Sequence, residues 1–365
     1  MSRNLDSLRG LAAIVVLVGH GYQIFIAPIY PLFFPIFSLL AQAAVMLFFV
    51  LSGFLITKSL TRNIFLNGRL DVGKYAVDRF DRLYPPLLFS MVLLLAIHLI
   101  APYLLHSGTG QFVHSGGFIS RSGLQIEWPA FFGTLVFANG FAVGNLSANT
   151  PLWSLSYEVW YYLIACLLVW RPYSGVALGI VVALVLGSLN KTFAVYGVVW
   201  FSGAIVALMH NHNVKCHGTA VVLAFLLALF AAATAVKFVR ISINVTDIDV
   251  YRYHYIVLFN VFIGILAATY LYLISIGIFS FDLDIAETSK FSYTLYIVHF
   301  PILLLLYGLG QPFIYDNVVA SVCAGAAAVL ICLILAIFLA PWLESVRPLR
   351  KTVVWNRRRV LAGEP

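Results

Sequence analysis

Residues Pro35–Thr57 read PIFSLLAQAAVMLFFVLSGFLIT, 23 positions without a charged side chain. As a helix rising 1.5 Å per residue, such a run is about 34 Å long, enough to cross a hydrocarbon core near 30 Å. A stretch this apolar does not belong on a water-facing surface. It sets the terms for the rest of the chain.

Similar runs recur in both directions: Leu8–Ala27, Leu83–Leu105, Trp153–Trp170, Tyr173–Leu189, Phe193–Met209, Gly218–Val236, Tyr255–Ile278, Phe291–Leu309 and Val318–Ala340. With the first they make about ten spans. Ala130–Val143 is apolar but short, which suits a half-buried or re-entrant piece. The chain has 365 residues, 62% hydrophobic and 10% charged, where a water-soluble domain carries about 25% charged residues. The expected fold is all-α, a polytopic transmembrane helix bundle forming a single domain over residues 1–365. The first run lacks a small-residue cleavage site and is read as helix one, not a signal peptide.

The net charge of +8 does not imply nucleic acid, because the basic residues gather at helix ends and in the tail, with no basic groove interleaved with aromatics. With ten spans, 17 of the 22 Lys and Arg fall on one side and 5 on the other. The positive-inside rule then places both termini in the cytoplasm. Asp71–Leu83 (DVGKYAVDRFDRL) mixes charge with apolar residues and reads as an amphipathic helix on the cytoplasmic face. Residues 101–152 form an outer connection too long to be idle. The cysteines have no disulfide or metal spacing. His210–His217 (HNHNVKCH) is read as a loop without regular ligand spacing, so no metal is expected. Asn145 and Asn244 open glycosylation sequons on the outer side.

Ionisable groups within a span cost several kcal/mol unless paired or hydrated, so each is a functional candidate. In RGLAAIVVLVGH, Arg9 and His20 are eleven residues apart, nearly three turns, so both project from one face about 16 Å apart. The plainer reading is a snorkelling arginine and a hydrogen-bonded core histidine. Glu158, in PLWSLSYEVWYYL, is placed at the depth of His20, where a carboxylate would orient the imidazole. Packing against the aromatic belt, with a bond to Ser154, is the alternative. Tyr293, Tyr296 and His299 in SYTLYIVHFP recur at three-residue steps along one side of a helix. Arg79 and Arg82 in DRFDRLYP share a face and suit phosphate, or a lipid headgroup. Ser52 and Gly53 form a small-residue notch in FFVLSGFLI, with a direct role for Ser52 as a weaker option.

Five of these stretches, in this order, resemble the signature of the acyltransferase family 3 proteins: the arginine–histidine pattern of span one, FFVLSGFLI, the RxxR of RFDRLYP, PLWSLSYE, and SYTLYIVH before a proline. They run from Arg9 to Pro301. The resemblance implies a multi-pass enzyme of the cell inner (plasma) membrane that O-acylates extracytoplasmic sugars, usually with acetyl. It implies essential roles for Arg9, His20, Arg79 and Arg82. Some relatives carry a C-terminal esterase-like domain; here a basic tail stands there, and acyl delivery is expected to finish within the membrane unit or through a partner.

The resulting expectation is transfer of an acyl group from cytoplasmic acetyl-CoA or another acyl-CoA to a hydroxyl of a glycan or glycolipid acceptor. Arg9, Arg79 and Arg82 would hold the CoA phosphates, and His20 would act as general base with Glu158 orienting it. Tyr293, Tyr296 or Ser52 would bond the thioester oxygen, with His299 mid-span. The competing class is a proton-coupled secondary transporter in which His20, Glu158 and His299 relay a proton. Membrane lipid is the one sure partner, and oligomeric state is not legible.

Overall fold

The computed structural model describes residues 2–112, 123–214, 217–243, 249–279, 285–314 and 316–344. Asn244, Lys215, Cys216 and the basic tail lie outside them. The helices are α1 (Ser2–Gly21), α2 (Phe34–Asn67), α3 (Val72–Leu104), α4 (Trp128–Leu135), α5 (Trp153–Trp170), α6 (Ser174–Leu189), α7 (Lys191–Asn211), α8 (His217–Ile243), α9 (Asp249–Ser275), α10 (Ser292–Ile314) and α11 (Val318–Leu343). Among the described residues nine are long and apolar enough to cross a membrane. The tenth expected span, α6, has 16 residues and is about 24 Å long, short of a full hydrocarbon core.

The chain is sorted by burial as a membrane bundle requires. α1 and α10 lie at the centre, with Leu17, Leu295, Val298, Phe300 and Leu303 shut off from the surface. α8 and α11 turn Phe225, Phe230, Ile334 and Phe338 outward, apolar surface that is stable only against lipid.

Asp71–Leu83 is not a separate surface helix. It forms the first turns of α3, a single helix of 33 residues and about 50 Å. The Asp71 carboxylate caps it by accepting from the Lys74 N–H at 2.9 Å, satisfying one otherwise unpaired donor. The helix then runs through Pro85 and Pro86, which lack the N–H groups the Asp81 and Arg82 carbonyls would bond. Sequence patterning divided this element because its polarity changes at Leu83, while its backbone does not.

The long connection after α3 folds back into the bundle. The His98 Nδ1–H donates to the Leu124 carbonyl at 2.9 Å, and the Tyr84 hydroxyl to the Leu135 carbonyl at 2.8 Å. α4 therefore packs alongside α3, with Ala130, Phe131, Gly133 and Thr134 buried and Trp128 and Phe132 exposed. A buried 3-10 segment, Ser147–Leu152, follows it. There the Asn149 amide donates to the Ile297 carbonyl at 3.0 Å and to Ser90 Oγ at 3.1 Å. α5 consequently starts among buried residues.

Candidate functional site

Three guanidinium groups converge on a narrow chamber between α1, α2, α3, α5 and α10, a cavity of about 80 Å³ that opens to solvent. Arg9, Arg79 and Arg82 line one end. Arg82 is exposed and marks the mouth, while Arg9 and Arg79 are half-buried. Arg9 is steadied by the Ser289 carbonyl at 3.1 Å and by Asp6 at 3.6 Å. Gly10 beside it is required, because a Cβ there would collide with the Thr288 side chain in the segment Arg9 grips. Arg79 lies over the Tyr75 ring, 5.8 Å from its centroid, with Ser59 Oγ at 3.4 Å. The Nε groups of Arg9 and Arg79 are buried and have no hydrogen-bond partner. Buried donors without partners are costly, and like charges held together repel. Such an arrangement is a standing demand for an anion with several oxygens.

Beyond the arginines stands a second polar group. Ser52 Oγ lies 2.5 Å from Glu158 Oε1 and 3.2 Å from the Tyr162 oxygen. The Tyr162 hydroxyl donates to the same carboxylate oxygen, and the Trp200 Nε1–H donates to Ser52 Oγ at 3.1 Å. A serine hydroxyl has one proton, and here it goes to Glu158. The notch at Gly53 makes this possible. A Cβ at Gly53 would strike the Trp200 carbonyl oxygen, and one at Gly203 the Val50 carbonyl, so two glycines let α2 and α7 cross closely enough to bring the indole to Ser52. Glu158 also lies within electrostatic reach of Arg82 and Arg79.

Phe48 and Tyr296 also line the chamber, their ring centroids 5.6 Å apart. The Tyr296 hydroxyl is held by Ser154 Oγ at 2.6 Å and the Pro151 carbonyl at 3.0 Å. Tyr293 also lines the chamber and donates to the Leu83 carbonyl at 3.2 Å.

The two histidines stand on the far side of Tyr296, whose ring is 6.0 Å from that of His299. His20 Nδ1 and His299 Nε2 are 2.9 Å apart, and the rings stack at 5.1 Å. The other nitrogen of His299, Nδ1, is 3.0 Å from the Leu295 carbonyl. A carbonyl only accepts, so His299 Nδ1 carries hydrogen, and in the neutral ring Nε2 is then an acceptor. It follows that His20 donates through Nδ1–H and bears its basic lone pair on Nε2. The π-helical turn Tyr22–Ile26 begins two residues after His20, a distortion frequent near functional groups.

The sequence reading therefore needs two corrections. Glu158 does not orient His20: its carboxylate serves Ser52 and Tyr162, and His299 holds the imidazole. Nor do Arg9 and His20 share one cavity, because Arg9 lines the chamber and His20 does not. The buried segment Ser147–Leu152 leads into α5, and Glu158 on that helix meets Ser52 of α2 and not His20 of α1. Tyr162 went unnoticed although it sits one turn from Glu158, within legible reach. Trp200 carried no signal. Glu344, at the end of α11, accepts from the Thr294 N–H at 3.1 Å and Oγ1 at 2.7 Å, within electrostatic reach of Arg82 and Arg9. It lay outside every apolar run. Among the described residues no group of three or more His, Cys, Asp or Glu side chains could hold a metal ion.

A family model described as an acyltransferase domain matches residues 2–337, nearly the whole chain. No curated protein and no solved structure matches it.

Proposed function

Because the chain belongs to acyltransferase family 3, we propose that it moves an acyl group, acetyl in the first instance, from cytoplasmic acyl-CoA to a hydroxyl of a cell-surface or lipid-linked glycan. The observation that carries this reading is the arginine chamber, with two buried guanidine N–H groups lacking partners. The phosphates of an acyl-CoA supply the oxygens those donors lack. The chamber leads from that phosphate-binding end to a polar centre, which is the order in which a CoA thioester presents its parts. On this reading both termini are cytoplasmic and the protein is a multi-pass protein of the inner membrane.

His20 Nε2 takes the proton of the acceptor hydroxyl, and His299 fixes the tautomer that makes Nε2 the basic atom. As the proton arrives, Nδ1–H remains on the acceptor nitrogen of His299, so the imidazolium is stabilised where it forms. Vesicles carrying the protein and loaded with labelled acetyl-CoA test the proposal. Acylated glycan on the opposite face supports it, with loss in His20→Ala. Solute uptake with no acyl transfer returns the protein to the transporter class.

A further inference from the structure

The chamber of the proposed donor contains three serines, and they are not equivalent. Ser154 Oγ lies 3.2 Å from the Pro151 carbonyl and shares a bond with Tyr296. Ser292 donates to the Ser289 carbonyl at 2.9 Å. Both are spent on the backbone of their own turn. Ser52 alone donates to a carboxylate, Glu158 Oε1 at 2.5 Å. Its oxygen is fixed a second time by the Trp200 Nε1–H at 3.1 Å, and the whole group lies on the chamber wall. A hydroxyl whose proton is aimed at a carboxylate, whose oxygen is held by an indole, and which faces the donor space is the arrangement of a base-activated nucleophile.

We infer that Ser52 is acylated during turnover, with Glu158 as its base, so that the acyl group rests on the enzyme between donor and acceptor. This deepens the acyl-transfer reading above and rests on it. Ser52 Oγ bonds to the thioester carbonyl carbon as its proton passes to Glu158 Oε1. The carbon–sulfur bond breaks and the sulfur departs as a thiolate, which is protonated in solvent, while Glu158 keeps the serine proton. In the second half, the acceptor oxygen bonds to the acyl carbon and gives its proton to His20 Nε2. The bond from the acyl carbon to Ser52 Oγ breaks as Glu158 returns its proton to Ser52, and His20 releases the acceptor's proton to solvent. No oxidant, reductant or metal is needed. The two-step route also explains why the structure has two proton-handling centres near Tyr296: Ser52–Glu158 takes the acyl group from the donor, and His20–His299 serves the acceptor. A single direct transfer leaves Glu158 with nothing to do.

The test uses the full chain in lipid nanodiscs with acetyl-CoA labelled in the acetyl group, no acceptor, acid quench and peptide mapping by mass spectrometry. Label should appear on the peptide containing Ser52, persist or increase in His20→Ala, and vanish in Ser52→Ala. Glu158→Gln should slow labelling about 100-fold or more, the usual span of general-base catalysis. Ser52→Cys guards against a folding defect in the alanine variant: it should yield a thioester at position 52 that neutral hydroxylamine cleaves, where the serine ester resists. Label on His20 or a tyrosine, or donor cleavage undiminished in Ser52→Ala, overturns the inference while leaving acyl transfer standing. Absence of acetyl-CoA cleavage by the wild type, with or without membrane extract as acceptor, overturns the acyl-transfer reading and this inference with it.

Discussion

Replacing His299 by alanine removes the acceptor that holds His20 in its working tautomer. The loss can be sized from the site. His299 is fully buried, and its Nε2 takes the Nδ1–H of His20 at 2.9 Å, so the variant strands one buried donor. An unsatisfied buried donor costs about 1–3 kcal/mol. If all of that is lost from the transition state, turnover falls roughly 5- to 150-fold at about 1.4 kcal/mol per decade. His20→Ala removes the base itself, a loss on the order of 100- to 10,000-fold, so His299→Ala should be the milder variant. His299→Gln offers an amide oxygen to the same N–H and should recover part of the rate. Steady-state thiol release from acetyl-CoA, measured in nanodiscs with membrane extract as acceptor, reads all three. A His299→Ala enzyme at wild-type rate refutes the orienting role. So does a His299→Gln enzyme no better than His299→Ala when both fold, since the argument depends on an acceptor at that position and not on the ring.

Two other outcomes follow from the geometry. Arg79→Ala removes a guanidinium whose buried Nε awaits a partner; each charge-assisted hydrogen bond lost should raise KM for acyl-CoA by about 10- to 150-fold, from 1.5–3 kcal/mol, with a smaller change in kcat, in a saturation series on the purified protein. Gly53→Ala drives a methyl into the Trp200 carbonyl, an overpacking cost of about 1–3 kcal/mol. It should lower the unfolding temperature and acyl transfer together, and combining it with Gly203→Ala should cost less than the sum, because both press apart the same crossing; a strictly additive pair argues against a shared displacement.

Much of the site was legible because the membrane makes polar residues conspicuous. Arg9, Arg79, Arg82, His20, Glu158, Tyr293, Tyr296 and His299 are few among long apolar runs, and helical spacing put Arg79 and Arg82 on one face. Arg9, Arg79, Arg82, Glu158, Tyr293 and Tyr296 do meet in one chamber, while His20 and His299 pair with each other outside it. Ser52–Gly53 was legible as a close helix crossing, and the crossing is there. The partners of these residues were less accessible. Glu158 was assigned to His20 because each was measured from its own helix end, and the buried segment before Trp153 displaced that origin. The amphipathic start of α3 was separated from its span because a polarity change resembles an element boundary when only side chains are read.

The chain by itself determines that it is a bundle of membrane helices, which side chains must avoid lipid, and that those side chains cluster. Hydrophobic period and length are properties of one dimension, and burial in lipid depends on little else. Tertiary structure decides which polar group meets which: Ser52 with Glu158, and His20 with His299. Those pairings depend on the tilt and axial offset of neighbouring helices. Backbone contacts at Gly10, Gly53 and Gly203 set that offset, together with a connecting segment that dives into the core. A shift of one turn, about 5.4 Å, would exchange every partner while leaving the hydrophobic pattern unchanged.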